Sequence, residues 1–115
     1  MSDRHIFARL MSVVEDRRDK PSERSYTVSL LQGGVDKIGS KIMEEAAEVV
    51  EAAGEPGEEG RQHLSYEAAD LIYHLFVMLG YRNISLGEVE SELQRRCGTS
   101  GLDEKAARKQ KEDTA

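Results

Sequence analysis

Lys41-Ile42-Met43-Glu44-Glu45-Ala46-Ala47-Glu48, answered further on by Glu67-Ala68-Ala69-Asp70, decides how the chain folds. Ala, Glu, Met and Ile dominate these stretches and neither Pro nor Gly interrupts them, so both read as helix. At about 100° per residue, Glu45 and Glu48 share one helical stripe, with Glu44 at its flank. Glu67 and Asp70 repeat the i,i+3 spacing on the later helix. Like charges spaced in this way repel by roughly 0.2–0.5 kcal/mol per exposed pair. The five carboxylates call for a positive partner.

The connection between the stretches settles whether they meet. Gly54-Glu55-Pro56-Gly57-Glu58-Glu59-Gly60 is a helix breaker followed by a short polar turn, which predicts an antiparallel hairpin of two helices. Glu48 lies six residues before Gly54, and Glu67 seven after Gly60. At about 1.5 Å of rise per residue both sit roughly 9–10 Å from the turn, and Glu44 and Glu45 stand level with Asp70. Four or five acids are therefore expected at one height between neighbouring helices.

The 115 residues predict one domain with a modest core. With 16 Lys and Arg against 22 Asp and Glu, the net charge of −6 argues against a nucleic-acid or anionic-membrane surface. It also implies that an anionic substrate arrives with a cation. Cys97 is the single cysteine, which excludes an internal disulfide and disfavours a Cys-based zinc site; a reducing cytoplasm fits. No signal peptide is evident, and the longest apolar run, Leu71 to Leu79, is interrupted by His74 and too short to span a bilayer.

Apolar spacing at Ile6, Leu10, Val13 and Val14, with Phe7 and Met11, predicts a first helix over about residues 4–18. Pro21 ends it by disfavouring helix at Lys20. Ser25 or Thr27 caps a short helical segment through Leu31, which Gly33-Gly34 is expected to end. The second long helix, about 35–53, has Ile38, Ile42, Ala46, Val49 and Ala53 on its core stripe, with Lys37, Lys41, Glu45 and Glu48 on the neighbouring one. The third, about 60–81, is apolar nearly all round from Leu71 to Leu79. A helix apolar on every side is buried on every side, and a chain this short cannot surround one, so a homodimer is expected to complete the bundle. Gly80 and Asn83 end that helix. A fourth, about 86–97, places Leu86, Val89 and Leu93 inside. The expected architecture is an all-α bundle of about four helices in a single domain over 1–97, followed by a polar, mobile tail over 98–115.

Each candidate site residue has an ordinary reading beside the functional one. Glu44, Glu45 and Glu48 alone make a commonplace solvated face. Glu67 and Asp70 do not, because they open an apolar helix, where ionised carboxylates are rarely buried unless paired or metal-bound. An all-oxygen donor set without Cys favours Mg²⁺, or else Mn²⁺. A di-iron carboxylate bundle needs Glu-x-x-His motifs, and here the residue three after Glu45 is Glu48 and after Glu67 is Asp70, while His63 and His74 lie four residues from Glu67 and Asp70; that reading is rejected. Lys37 and Lys41 either pair with acids one turn on, as Lys41 would with Glu45, or hold phosphate oxygens beside a metal. His74 is most simply a satisfied core histidine, although it shares the stripe of Glu67 and Asp70 and keeps a substrate role open. Arg95 and Arg96 at a helix C-terminus suit the dipole, and Arg95 is also a candidate substrate ligand. Tyr26 is read as a packing residue. Gly33-Gly34 lacks the Walker spacing of a phosphate loop.

Glu44-Glu45-x-x-Glu48 followed by Glu67-x-x-Asp70 resembles the metal motif of the all-α NTP pyrophosphatase superfamily, the MazG-like group. The wider pattern is similar to that of the phosphoribosyl-ATP pyrophosphatase family of histidine biosynthesis. It comprises Ser25-Tyr26-Thr27, Leu30, Gly34, Lys37-Ile38, Lys41, Glu44-Glu45-Ala46 and Glu48, then Glu67-Ala68-Ala69-Asp70-Leu71-Ile72-Tyr73-His74-Leu75. The resemblance runs from about Leu10 to Arg96. The acids match at the level of the superfamily; the Ser-Tyr-Thr and Asp-Leu-Ile-Tyr-His-Leu runs carry the narrower match. It implies Mg²⁺-dependent hydrolysis of the α–β phosphoanhydride of phosphoribosyl-ATP to phosphoribosyl-AMP and pyrophosphate, by an oligomer of helical bundles. It further implies Glu45, Glu48, Glu67 and Asp70 as metal ligands, with Glu44 or a neighbouring acid as general base. Lys37, Lys41, His74 and Arg95 would then contact substrate. No cyclohydrolase domain accompanies these motifs, so a stand-alone form is expected. Two other readings stand beside this one: a house-cleaning pyrophosphatase acting on ordinary or damaged NTPs, and a non-catalytic helical dimerisation module.

Overall fold

The computed structural model describes residues 5–97 together with 105, 108 and 109; most of the expected tail over 98–115 lies outside them. The fold is all-α. Among the described residues four helices follow in order, α1 (Ile6–Asp19), α2 (Tyr26–Ala53), α3 (Gly57–Tyr81) and α4 (Leu86–Cys97). The first three pack into one compact unit that ends at Ser85, and α4 opens a second. No helix among the described residues is long and apolar enough to cross a membrane.

The α2–α3 hairpin is the largest interface of the first unit, with α1 laid against both helices. Leu30, Ile38, Val14 and Val77, from all three helices, are fully buried at its centre. Burying a side chain of this size contributes roughly 1.5–3 kcal/mol. The Ser25 hydroxyl caps α2 by accepting from the Val28 N–H at 3.2 Å, which satisfies one of the orphan donors of the first turn. At the far end of α3, Asn83 adopts φ 59°. There the Ile84 N–H donates to the Leu79 carbonyl at 2.8 Å and the Asn83 N–H to the Gly80 carbonyl at 3.0 Å, a Schellman ending. Arg18, in the last turn of α1, donates to the Gly80 carbonyl at 2.9 Å and to Asn83 Oδ1 at 3.2 Å, tying the two helix ends together.

Three expectations are corrected. Gly33-Gly34 does not end a separate segment: helix resumes at once, and α2 runs 28 residues across a kink where Gly34 alone leaves helical geometry, at φ 69° and ψ −162°. Helix α3 begins at Gly57, nearly a turn before Gly60, because Pro56 stands in extended conformation ahead of it and Glu58 and Glu59 fill its first turn, where acids favour the dipole. On α4 no residue is buried, and Leu93 is 54% exposed rather than inside. A helix of 12 residues cannot cover its own apolar stripe. The apolar sides of α2 and α3 also reach the surface, with Val35, Met43 and Val50 exposed on α2, and Tyr66, Leu75 and Tyr81 on α3.

Candidate metal centre

Only Gly54, Glu55 and Pro56 separate α2 from α3, so the two helices run back to back from a tight turn. With α3 starting at Gly57, Glu67 lies ten residues along it, about 15 Å from the turn. Glu45 lies eight residues from the end of α2 at Ala53, about 12 Å from the same turn, whereas Glu48 is only about 7.5 Å away. The shorter turn therefore brings Glu45 closer than Glu48 to the height of Glu67. Glu45 and Glu67 are buried and Asp70 is partly so. One carboxylate oxygen from each of the three lies within 4.8 Å of the others. That spread is close to two ion–oxygen bond lengths of about 2.1–2.5 Å for a hard divalent cation.

Two of these acids carry an oxygen, Glu45 Oε2 and Glu67 Oε1, that is buried without any hydrogen-bond partner. An unpaired ionised carboxylate in such a place costs several kcal/mol, so the site demands either a proton or a cation. The proton is partly supplied: burial first, then the adjoining carboxylates of Glu67, Asp70 and Glu48, push the Glu45 acid up to about 7. Glu48 is exposed on the rim, and its acid is raised chiefly by the negative charge of Glu67. Glu44 is exposed and takes an ion pair from Lys41 Nζ at 3.5 Å, so Lys41 pairs at i,i+3 rather than with Glu45. The acids of Glu44 and Glu45 together hold the Lys41 ammonium above its ordinary value, Glu44 foremost. Lys37 is exposed, and its aliphatic stem lies across Gly33, where any β-carbon would meet it.

The residues around the cluster include partners that the sequence reading passed over. His63, one turn before Glu67, sets Nε2 at 3.0 Å from Glu67 Oε2 and Nδ1 at 2.9 Å from Glu55 Oε1. The hydrogen bond to Glu55, followed by that to Glu67, raises the affinity of the His63 ring for its proton. The i,i+4 spacing of His63 and Glu67 was the available signal. His74 is buried, and its Nδ1 lies 2.8 Å from the Asp70 carbonyl. A carbonyl only accepts, so Nδ1 carries a proton, and in the neutral ring Nε2 accepts from the Tyr26 hydroxyl at 3.0 Å. Tyr26 is half exposed and stacks on Tyr73, whose hydroxyl hydrogen-bonds Thr27 Oγ1. The Ser25-Tyr26-Thr27 stretch thus caps α2 with its first residue and anchors to α3 with the next two. Arg95 lies on α4, where Nη2 donates to Glu92 at 2.6 Å and Arg96 Nε donates to the same oxygen at 2.9 Å.

The donor set of the cluster fits a hard divalent ion. Its three ligands are carboxylates, two of them present unsatisfied oxygens, and no sulfur or imidazole nitrogen belongs to it. Residues 7–97 match the family described as phosphoribosyl-ATP pyrophosphohydrolase. The chain is 55% identical over 106 residues to a phosphoribosyl-ATP pyrophosphatase from Rhodopirellula baltica, covering 92% of this chain and 88% of that one. A protein of the same description from Trichlorobacter lovleyi is 51% identical over 109 residues, covering 95% and 98%. A histidine biosynthesis bifunctional protein from Helicobacter hepaticus is 46% identical over 105 residues, which span 91% of this chain and 44% of that longer one.

Proposed function

The chain belongs to the phosphoribosyl-ATP pyrophosphohydrolase family, enzymes of histidine biosynthesis, and on that premise we propose that it hydrolyses the α–β phosphoanhydride of phosphoribosyl-ATP with the help of Mg²⁺. Being an enzyme, it is not a bare dimerisation module. The observation that carries the reading is the pair of buried, partnerless oxygens, Glu45 Oε2 and Glu67 Oε1, on two acids of one three-acid cluster.

Glu45, Glu67 and Asp70 would hold the divalent ion, with Glu48 beside Glu67 as a fourth ligand; Mn²⁺ would suit the same oxygens. Bound there, the ion polarises phosphoryl oxygens, neutralises charge on the departing pyrophosphate and lowers the pKa of an attacking water. The protein's own groups do the rest. Glu44, exposed on the rim and not among these ligands, would accept the proton that the water gives up on attacking phosphorus. Lys41, held against Glu44, and Lys37 one turn earlier offer ammonium groups to phosphate oxygens. His74 fixes the backbone of Asp70 and the ring of Tyr26 beside the cluster. Arg95 is a substrate ligand only by giving up Glu92. The apolar side chains exposed on α2 and α3 fit a homodimer that covers them, and the lone free thiol, Cys97, suits a cytoplasmic setting.

Pyrophosphate release from phosphoribosyl-ATP, measured against a panel of ordinary and damaged NTPs with and without EDTA, tests the proposal. Turnover of phosphoribosyl-ATP that EDTA abolishes and Mg²⁺ restores is the expected result. Preference for the NTPs would assign the site to a house-cleaning activity instead.

A further inference from the structure

We propose that His63 is a positioning residue for the metal centre, a clamp that fixes Glu67 so that one of its two oxygens faces inward to the cation. The inference rests on the metal-dependent reading above and adds to it a residue that lies outside the acid motif.

The geometry divides the Glu67 carboxylate into two ends. Oε2 is taken by His63 Nε2 at 3.0 Å, while Oε1 is buried and left without a partner. A glutamate side chain that must present one lone pair to a cation gains when its other oxygen is tied, because fewer rotamers compete with the productive one. The ring of His63 is itself held from behind, Nδ1 lying 2.9 Å from Glu55 Oε1. Glu55 reaches that position because the turn is folded tightly onto the first turn of α3. A β-carbon on Gly60 would lie 2.3 Å from the Glu55 carbonyl oxygen, so residue 60 must be glycine for the loop to sit so close. Gly60, Glu55, His63 and Glu67 thus form one chain of contacts leading from the turn to the cluster.

A histidine and a glutamate four residues apart on a helix also pair for no functional reason. Two features exceed that account. The acid concerned is buried, 6% exposed, and is one of the three acids of the cluster; and the ring's second nitrogen is engaged by a residue from outside the helix. Removing a protonated ring would also remove a positive charge near the cation, which alone would tighten metal binding. The clamp predicts the opposite sign.

The test measures Mn²⁺ dissociation constants by electron paramagnetic resonance on the full chain, alongside helicity and Mg²⁺-dependent turnover, for wild type, His63→Ala, His63→Gln and Glu55→Ala. Gln places its amide nitrogen near the position of Nε2 and keeps the donor without the charge. The expected result is ten- to hundredfold weaker Mn²⁺ binding in His63→Ala with helicity unchanged. His63→Gln should recover most of that loss, and Glu55→Ala should lose less than His63→Ala. Mn²⁺ binding by His63→Ala within twofold of wild type, or tighter, overturns the clamp. So does a Gln variant as weak as the Ala variant, since the loss would then follow the ring and not its donor. Should His63→Ala lose its helicity, Glu55→Ala decides alone, and wild-type affinity in that variant overturns the proposal. Failure of the metal reading itself looks different: wild type would not bind Mn²⁺ at all.

Discussion

Glu45 and Glu92 are the same amino acid put to opposite uses. Glu45, between α2 and α3, is buried against other carboxylates and its acid is pushed up to about 7. Glu92, on α4, is flanked by the guanidinium groups of Arg95 and Arg96, which hold its acid down to about 2. The second arrangement is complete: every charge has its partner, and water screens what is left. The first is incomplete, with like charges gathered and oxygens unmatched, so the fold carries a local cost that a ligand must offset. Counting acids along the chain does not distinguish the two regions. Asking which acids lack a counter-charge does.

Three substitutions break or sharpen that contrast. The largest effect is expected from Asp70→Ala, which removes a carboxylate, the proposed ligand, from the incomplete region: turnover should fall below about a thousandth of wild type while far-ultraviolet circular dichroism stays near native. Activity surviving that change would sink the ligand assignment.

Glu45→Gln comes next, and it separates stability from function. Because the folded-state acid of Glu45 lies above the ordinary carboxylate value, the metal-free protein binds more protons folded than unfolded. Its stability is therefore greatest below about pH 4.5 from this group and is lost as pH rises through about 7. Glu48 and His63 are raised too and act in the same direction. Thermal melts in EDTA should show Tm falling from pH 5.5 to pH 8 in wild type and falling less in Glu45→Gln. At pH 8 that variant should be more stable than wild type by roughly 1–3 kcal/mol. Mg²⁺ should close or reverse that gap: at a hundredfold excess over Kd it stabilises wild type by about 2.7 kcal/mol and leaves Glu45→Gln almost unmoved. A flat wild-type profile in EDTA would show that the cluster carries no strain.

The smallest effect is expected for Glu92→Gln. Its lowered acid adds stability that is present above the ordinary carboxylate range and is lost only as pH falls toward about 2. Between pH 5.5 and 8 the variant should match the slope of the wild-type melting profile, with Tm moving by about a degree or two at most, and its Mg²⁺ affinity should be unchanged by calorimetry.

Much of the acid cluster was legible because helical period and a Gly-Pro turn are local signals: the spacing of Glu45 with Glu48, and of Glu67 with Asp70, puts them on facing stripes whatever the rest does. The register was less legible. Reading the turn as reaching Gly60 set Glu48 level with Glu67, and the earlier start of α3 made Glu45 the closer match. His63 was read only as failing a Glu-x-x-His spacing, because its role depends on Glu55, which comes from the turn and meets it only in three dimensions. Tyr26 was taken for packing because no pattern in the chain pairs a residue of α2 with one 48 positions later. The stripe of α4 reads the same whether its partner is this chain or another, so its exposure at Leu93 could not be seen in its spacing.

Gly34 gives the molecule one point of mutational brittleness away from the acids. Its dihedral pair belongs to a region nearly reserved to glycine, so any replacement carries about 1–3 kcal/mol of distortion, and a methyl there would press on the Tyr81 hydroxyl at 3.3 Å. A saturation scan would find the solvent-facing side of α2 permissive at Asp36 and closed at Gly34, since a straight rod would re-aim the arm that delivers Tyr26 to His74.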